Sequence, residues 1–427
     1  AAVTGQEFGA QLQKLGPFEV PPRLAVACSG GADSIALLGL ICDWALQRNG
    51  KVVAMIVDHR LRPESTREAA QVAATAKQLG IEACVLTRTD GSLRSNVQQH
   101  AREARYRLLS SGCRQLAIPH LFLAHHRNDQ AETVYMRAAR NSGVDGLAGM
   151  AAVSELRDVR ILRPLLDIPK TRLRATASAM GLPVIEDPSN DDSHYERVRV
   201  RRDLVLATKV DDAIQSADRN GLERRRKELV AAYLLAKSCA IFPEGYAVLD
   251  IKTLRYEPVD IAYRCLAAIC AMIGGRQHPP RRARTSRLYD AIVSGKLARG
   301  RTMGGCHIMP IDRRLLIIRE TSAIEKSMAI SKNGRWDGRF LVEMSSPSEG
   351  LEVSALGEAG LHELRENEAF IEGLNIPRAV LPTLPAVRGL EGIRYVPHLC
   401  YSKGGDAFGG KIRFAPIRPL QATRFTL

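Results

Sequence analysis

Six consecutive residues, Ser29-Gly30-Gly31-Ala32-Asp33-Ser34, combine features that suit a bound phosphate. Two adjacent glycines let the backbone approach an anion closely, and a helix starting there offers unpaired N–H groups and the positive end of its dipole. The Ser29 and Ser34 hydroxyls can donate as well. Asp33 is the informative member, because a carboxylate beside phosphates is repulsive unless a cation such as magnesium lies between them. The segment is not a Walker A loop, since it lacks Gly-Lys-Ser/Thr, and it is not Gly-x-Gly-x-x-Gly. Read locally, it would serve equally as a Gly-Gly turn with Asp33 and Ser34 capping a helix.

Further groups of the same kind follow along the chain. Asp58 and His59 close a run of apolar residues and could face a ligand or cap a turn. Arg102 and Arg105, downstream of Asn96, are three apart and share a helix face; guanidinium forks suit phosphate oxygens, though a solvated basic face is the ordinary alternative. If His125 to Glu132 is helical throughout, His125, Asp129 and Glu132 fall at i, i+4 and i+7 on one side. That face could hold magnesium, clamp an ammonium group or act as a base, or it could cap the helix. Zinc fits poorly, because HExxH is absent and no cysteine is near in sequence. Arg197, Arg199, Arg201 and Arg202 put four arginines within six residues.

Parallel strands ending beside one another would bring these groups together. From Arg23 to about Glu186 short β-rich runs alternate with helical stretches, the pattern of a doubly wound α/β sheet. Strands are expected at Arg23–Cys28, Lys51–Val57, Ala83–Leu86 and Leu121–Ala124, and helices at Ser34–Gln47, Glu64–Leu79 and Asn96–Leu109. In such sheets ligands sit beyond the carboxyl ends of the strands, where the phosphate-like loop, Asp58-His59 and His125-His126 all fall. After about residue 210 the chain turns helical, with Glu223–Ala240 and Asp260–Met272 rich in Ala and Leu. Beyond Ser331–Arg339 it is rich in Gly and Pro with short β-like runs. Three units are expected: 1–210, a helical 211–328, and a small 329–427.

The chain has 427 residues, 45% of them hydrophobic and 25% charged, which supports buried cores and argues against wholesale disorder. Its formal charge of +15 suits a nucleic-acid partner, without requiring one. Arginine-rich clusters at Arg224–Lys227 and Arg276–Arg287 suit contact with phosphates irrespective of sequence. Nine cysteines without a CxxC pair read as reduced thiols of a cytoplasmic protein, and charged residues interrupt every long apolar stretch, so no membrane span is expected.

Taken in order, these segments resemble a known family. SGGADS is similar to the SGGxDS loop of the PP-loop ATP pyrophosphatases, and the stretch from Val57 to Ser65 is similar to VDHxLRxxS. Residues 96–106 follow NxxxxARxxRY, and residues 125–133 follow HHxxDQAET, with Gly146-Leu147-Ala148-Gly149-Met150 after them. Arg163-Pro164-Leu165-Leu166 and Glu186-Asp187-Pro188-Ser189-Asn190 complete the series, which resembles the tRNA(Ile)-lysidine synthetases over residues 23–202. Two positions depart from the pattern. Asn141 stands where the family has glycine, a substitution that the left-handed conformation tolerates, and Val198 stands where asparagine is expected.

The resemblance implies ATP as cosubstrate, held by Ser29, Gly30, Gly31, Ala32, Asp33, Ser34, Asp58, His59, Asn96 and Arg102, with Mg2+ at Asp33. It implies catalytic roles for Asp33, Asp129 and Glu132, and contacts to lysine or tRNA for His125, Asp187, Asn190, Arg197, Arg199 and Arg201. The implied substrates are L-lysine and the isoleucine tRNA with a CAU anticodon, with the later domains serving tRNA recognition and a homodimer as an option. ATP would adenylate the 2-carbonyl oxygen of the wobble cytidine, and the lysine side-chain amine would then displace AMP. A PP-loop tRNA thiolase is the nearest rival, but those enzymes usually need a cysteine pair, and Cys265 and Cys270 lie outside this half. Tyr195, Trp336 and Tyr401 are the candidates for stacking on bases.

Overall fold

The computed structural model describes residues 1–427 except 61–63, 89–96, 157–158, 186–198, 201–206, 331–332, 346–349, 367–374, 406–407 and 421–427. Its contacts divide it into two compact units, with the chain passing from one to the other between Arg225 and Arg226.

The first unit opens with helix α1 (Gly5–Leu15), then alternates: β1 (Arg23–Ala27), α2 (Ala32–Leu46), β2 (Lys51–Asp58), α3 (Ser65–Gln78), β3 (Glu82–Thr87), α4 (Val97–Gln115), β4 (His120–Phe122) and α5 (Arg127–Ala139). A short α6 (Val144–Leu147), β5 (Val153–Glu155), β6 (Arg160–Leu162) and α7 (Lys170–Ala179) complete it, apart from the first part of the long α8 (Ala207–Ser238). The strand order is β3-β2-β1-β4-β6-β5, with every pairing parallel except β5 on β6. Each expected strand and helix of this half is present, within two residues of its expected limits except that α4 runs six residues past Leu109 to Gln115. Its central strands are buried on both faces, which is why they read as unbroken apolar runs rather than alternating ones.

Two cores sandwich the sheet. On one side Phe8 and Leu12 of α1, Ile35 to Ile41 of α2, Val72 of α3 and Leu173 of α7 pack together. On the other, Leu109 and Cys113 of α4 cover Ala25, Met55 and Leu121. Helix α2 is apolar nearly all round because α1 and α7 cover the face that the sheet does not. The strand order reverses between β1 and β4, the switch point at which open sheets of this kind leave a crevice.

The composition change near residue 210 does not interrupt the backbone, since α8 runs unbroken from 207 to 238. In the second unit the expected helices appear, α10 (Val259–Ile273) after a short α9 (Ile251–Tyr256), then α11 (Arg282–Val293). They pack on a five-stranded antiparallel sheet, β7-β8-β11-β10-β9, formed by β7 (Cys239–Phe242), β8 (Tyr246–Asp250), β9 (Arg301–Met303), β10 (Cys306–Ile311) and β11 (Arg314–Arg319). The segment expected to be helical is therefore mixed; its strands are short and lie between helices of stronger periodicity. The segment expected as a third unit contributes a second five-stranded sheet and a three-stranded one, and falls in the same compact unit.

A buried ionic cluster contributes to that union. Asp337 is held by Arg319 at 2.7 Å and by Arg339 at 2.6 Å, and all three side chains are almost wholly inaccessible. Burial pushes the Arg339 guanidinium down to about 10 against the pull of Asp337. Trp336 is likewise fully buried, and its indole N–H donates to the Lys326 carbonyl. It is a core residue and cannot stack on a base, contrary to the expectation; Tyr401 is half-buried and Tyr195 lies outside the described residues. All nine cysteines are free thiols, with Cys400 the exposed one. No helix among the described residues is long and apolar enough to cross a membrane.

Candidate active site

The switch-point crevice gathers the loop after β1 and the segment after β4. Gly30 has φ +87°, and a Cβ there would meet Val72 at 2.8 Å and Ile185 at 3.0 Å, so this turn requires glycine on both conformational and steric grounds. The Ile185 N–H donates to the Gly30 carbonyl and fixes the loop from outside. Inside it, the Ser34 hydroxyl donates to the Gly31 carbonyl at 2.9 Å and accepts from the Ser29 N–H at 3.2 Å. The Ser29 and Ser34 hydroxyls lie 3.3 Å apart. Gly31 is the N-cap of α2 and provides no side chain, so the first amides of the helix stay available to an anion.

Asp33 stands in the first turn of α2, one quarter exposed, with Oδ1 buried and without a hydrogen-bond partner among the described residues. Its Oδ2 lies 3.4 Å from His126 Nε2, and the same nitrogen lies 3.5 Å from Asp129 Oδ2. His126 thus sits between two carboxylates carried by different helices, α2 and α5. It is also the N-cap of α5: its Nδ1 accepts from the Asp129 N–H, while the Asp129 carboxylate accepts from the His126 N–H. The capping alternative and the functional reading therefore use the same residues. Sequence spacing had favoured His125 and passed over His126; the capping-box spacing of three to Asp129 was the available signal.

His125 precedes the N-cap and lies outside the helix, so the expected i, i+4, i+7 face over His125, Asp129 and Glu132 is not formed by His125. Asp129 and Glu132 share the first two turns of α5, Glu132 almost fully buried. His125 instead lines a cavity of about 170 Å3 together with His59, Arg102, Arg105, Tyr106, Leu109 and Leu123. Burial first, then the Arg163 guanidinium, depresses the His125 pKa to about 3, so its ring is neutral. Burial and the Arg105 and Arg88 charges lower that of His59 as well, against the pull of Asp58. Neither ring has a partner for Nδ1 among the described residues. A cavity that carries guanidinium groups and keeps its imidazoles neutral is one prepared for an anion.

Asp58 is placed differently. It is 2% exposed, and its Oδ1 accepts from the Arg60 N–H and the Ser65 hydroxyl while Oδ2 accepts from the Thr66 hydroxyl. Burial would raise its pKa, but these donors outweigh it and leave the carboxyl below its ordinary value. Both oxygens are occupied in tying β2 to the start of α3, the capping alternative for this residue. Of the remaining expected site residues, Asn96, Asp187, Asn190, Arg197 and Arg201 lie outside the described residues. Arg199 is exposed, and the neighbouring Val200 packs on Ala131 of α5.

The loop after α5 is tied back by two side chains of that helix. Gln130 donates to the Met150 carbonyl at 3.0 Å and accepts from its N–H at 2.7 Å, and Arg137 donates to the carbonyls of Gly146 and Gly149. Asn141 takes the left-handed conformation, φ +52°, as its substitution for glycine requires.

Among the described residues no three His, Cys, Asp or Glu side chains are grouped so as to hold a metal alone. Two carboxylates with one bare oxygen suffice for magnesium, which keeps waters and takes phosphate oxygens for the rest of its shell, so the donor set fits a cation bound together with a nucleotide.

Comparisons with known proteins bear on the domain and the family. The PP-loop domain model matches residues 5–208. A tRNA(Ile)-lysidine synthase of Ruegeria pomeroyi is 37% identical over 344 residues, covering 80% of this chain and 81% of that protein. The Wolbachia pipientis enzyme of the same name is 32% identical over 389 residues, 89% of each chain. That of Rickettsia bellii is 30% identical over 419 residues, 94% of this chain and 95% of its own.

Proposed function

Because the chain belongs to the tRNA(Ile)-lysidine synthase family, ATP-dependent ligases built on a PP-loop domain, we propose that it joins L-lysine to the wobble cytidine of an isoleucine tRNA with a CAU anticodon. The observation that carries the reading is the meeting of the phosphate-shaped loop with Asp33, His126 and Asp129 at one strand-order reversal.

The amides of residues 31–33 and the Ser29 and Ser34 hydroxyls would grip the β and γ phosphates of ATP, the Ser34 amide being already bonded to the Gly31 carbonyl. Asp33, with Asp129, would hold Mg2+, which neutralises phosphate charge when bound. The 2-carbonyl oxygen of the cytidine attacks the α phosphorus and pyrophosphate leaves; Arg102 and Arg105 face the cavity in which that charge is handled. The lysine amine then attacks C2, the C2–O bond to AMP breaks, and the proton released from the amine passes to a carboxylate, for which Glu132 is the assigned group. Neutral His125 serves as a hydrogen-bonding group there, since a pKa of about 3 makes it a poor base. A carbonyl oxygen in a conjugated ring leaves poorly, which is why adenylation precedes displacement. The base must be unstacked to be reached, and an anticodon loop makes that inexpensive.

The test is transfer of radiolabelled lysine to an unmodified tRNA transcript with a CAU anticodon. Transfer that needs both ATP and magnesium and yields one AMP per lysine is expected. ATP-dependent tRNA modification without lysine transfer would replace this reading.

A further inference from the structure

Arg163, the residue after β6, has no role in the chemistry proposed above. It is 7% exposed, its Nε is buried with no hydrogen-bond partner, and it makes no ion pair among the described residues. A guanidinium keeps its charge at any ordinary pH, and buried charges are normally paired, so an unpaired one calls for a reason.

One edge of the side chain has a structural task. Nη1 donates to the Ala151 carbonyl at 2.7 Å and to the Ser154 hydroxyl at 3.0 Å, and the backbone N–H of Arg163 donates to the Ala152 carbonyl. These bonds tie residues 151–154 to the end of β6, while Gln130 ties the preceding Met150 to α5. A neutral amide could serve as donor there, so the clamp does not explain the charge.

Strand register explains it better. Phe122 of β4 lies opposite Leu162 of β6, and the Leu123 N–H donates to the Leu162 carbonyl at 2.9 Å. Arg163 therefore stands at the carboxyl end of the strand beside the one that leads into Leu123 and His125, both of which line the 170 Å3 cavity. The charged groups facing the His125 ring are Arg163, Asp129 from α5, and Arg102 and Arg105 from α4, with His59 lining the same cavity. Of the three guanidiniums, Arg163 does most to keep the ring uncharged. That matters most when the cavity is filled. Phosphates drawn in by Arg102 and Arg105 would pull a proton onto a nearby imidazole, and a positive charge on another side of the ring counters that pull.

We infer that Arg163 is a positioning residue of the active site: it pins residues 151–154 to the sheet and holds His125 as a neutral hydrogen-bonding group while phosphates occupy the cavity. Arg163 does not line the cavity itself and acts through His125. The inference rests on the lysine-transfer reading for what the ring then does.

The test follows the His125 ring and lysine transfer in wild type, Arg163→Gln, Arg163→Lys and Ser154→Ala, the last of which loosens residues 151–154 and leaves the charge in place. Protein labelled with 15N in its histidine rings is titrated between about pH 9 and pH 5, free and saturated with α,β-methylene ATP and magnesium. The His125 signal is identified by its absence from His125→Asn. The wild-type ring is expected to stay neutral near pH 7 with the nucleotide bound. In Arg163→Gln the bound-state ring should take up a proton at higher pH, while Arg163→Lys and Ser154→Ala should follow wild type. The kcat of Arg163→Gln should fall several-fold at neutral pH and recover toward wild type by about pH 9, with KM for ATP unchanged. A wild-type ring protonated at neutral pH with nucleotide bound overturns the inference without any variant. So does a ring indifferent to Arg163→Gln, a loss of kcat that is flat with pH, or a Ser154→Ala variant that matches Arg163→Gln. A ring that responds as expected in a protein that transfers no lysine would remove the functional reading and leave the task of Arg163 standing; lysine transfer with an indifferent ring would do the reverse.

Discussion

Gly30, Asp33 and His125 each make a separable claim about the crevice. Gly30→Ala must place a Cβ against Val72 and Ile185 in a left-handed conformation, which costs on the order of 1–2 kcal/mol before any clash. Loss of ATP-dependent turnover with the fold retained is expected, read by activity and circular dichroism together. Asp33→Asn removes a carboxylate whose inner oxygen has no partner. It should lower kcat/KM by about a hundredfold or more, while Tm stays level or rises; a fall in Tm would mark Asp33 as structural. His125 predicts an acid limb. Its folded pKa of about 3 lies below the ordinary 6.5, so the unfolded chain binds a proton that the folded one refuses. Its contribution is present above pH 6.5 and is lost as pH falls toward 3, at up to about 1.4 kcal/mol per pH unit. His125→Asn should flatten the stability profile in that window, and superimposable profiles would refute the assignment.

At the scale of elements, the loop from 140 to 150 is held by α5 side chains more than by its own turns. Gln130→Leu leaves the Met150 N–H and carbonyl without the amide that pairs both, and should cost about 1–3 kcal/mol in denaturant unfolding. Asn141→Gly should be tolerated and Asn141→Ala should lose about 1 kcal/mol, since only the alanine resists positive φ. This loop also shows what was legible in the sequence. The left-handed position could be anticipated at Asn141 because the preference belongs to the residue itself. The alternation of β1 to α5 was legible because buried parallel strands and amphipathic helices carry different periods. The roles of His126 and Asp58 were not, because capping and ligand binding use the same residue types at the same spacings. The strands between residues 239 and 319 escaped notice because antiparallel pairs such as β8 and β11 gain their meaning from long-range partners.

For the whole molecule, the second unit depends on charges taken out of water. Asp337→Asn would leave Arg319 and Arg339 buried beside a neutral group, and removal of one partner from such a cluster costs about 3–5 kcal/mol. Proteolysis of this variant is expected to cut first within residues 226–422; first cleavage within 1–225 would contradict the division. The net charge of +15 is thus spread unevenly in kind: some arginines are locked in the core, while others stand exposed around one cleft. The thiols are spread unevenly too. Five are buried, three are partly covered, and Cys400 alone is exposed. The protein therefore carries its own labelling handle: one maleimide dye should attach at Cys400 under native conditions, giving an optical reporter on the second unit without engineering a cysteine-free background.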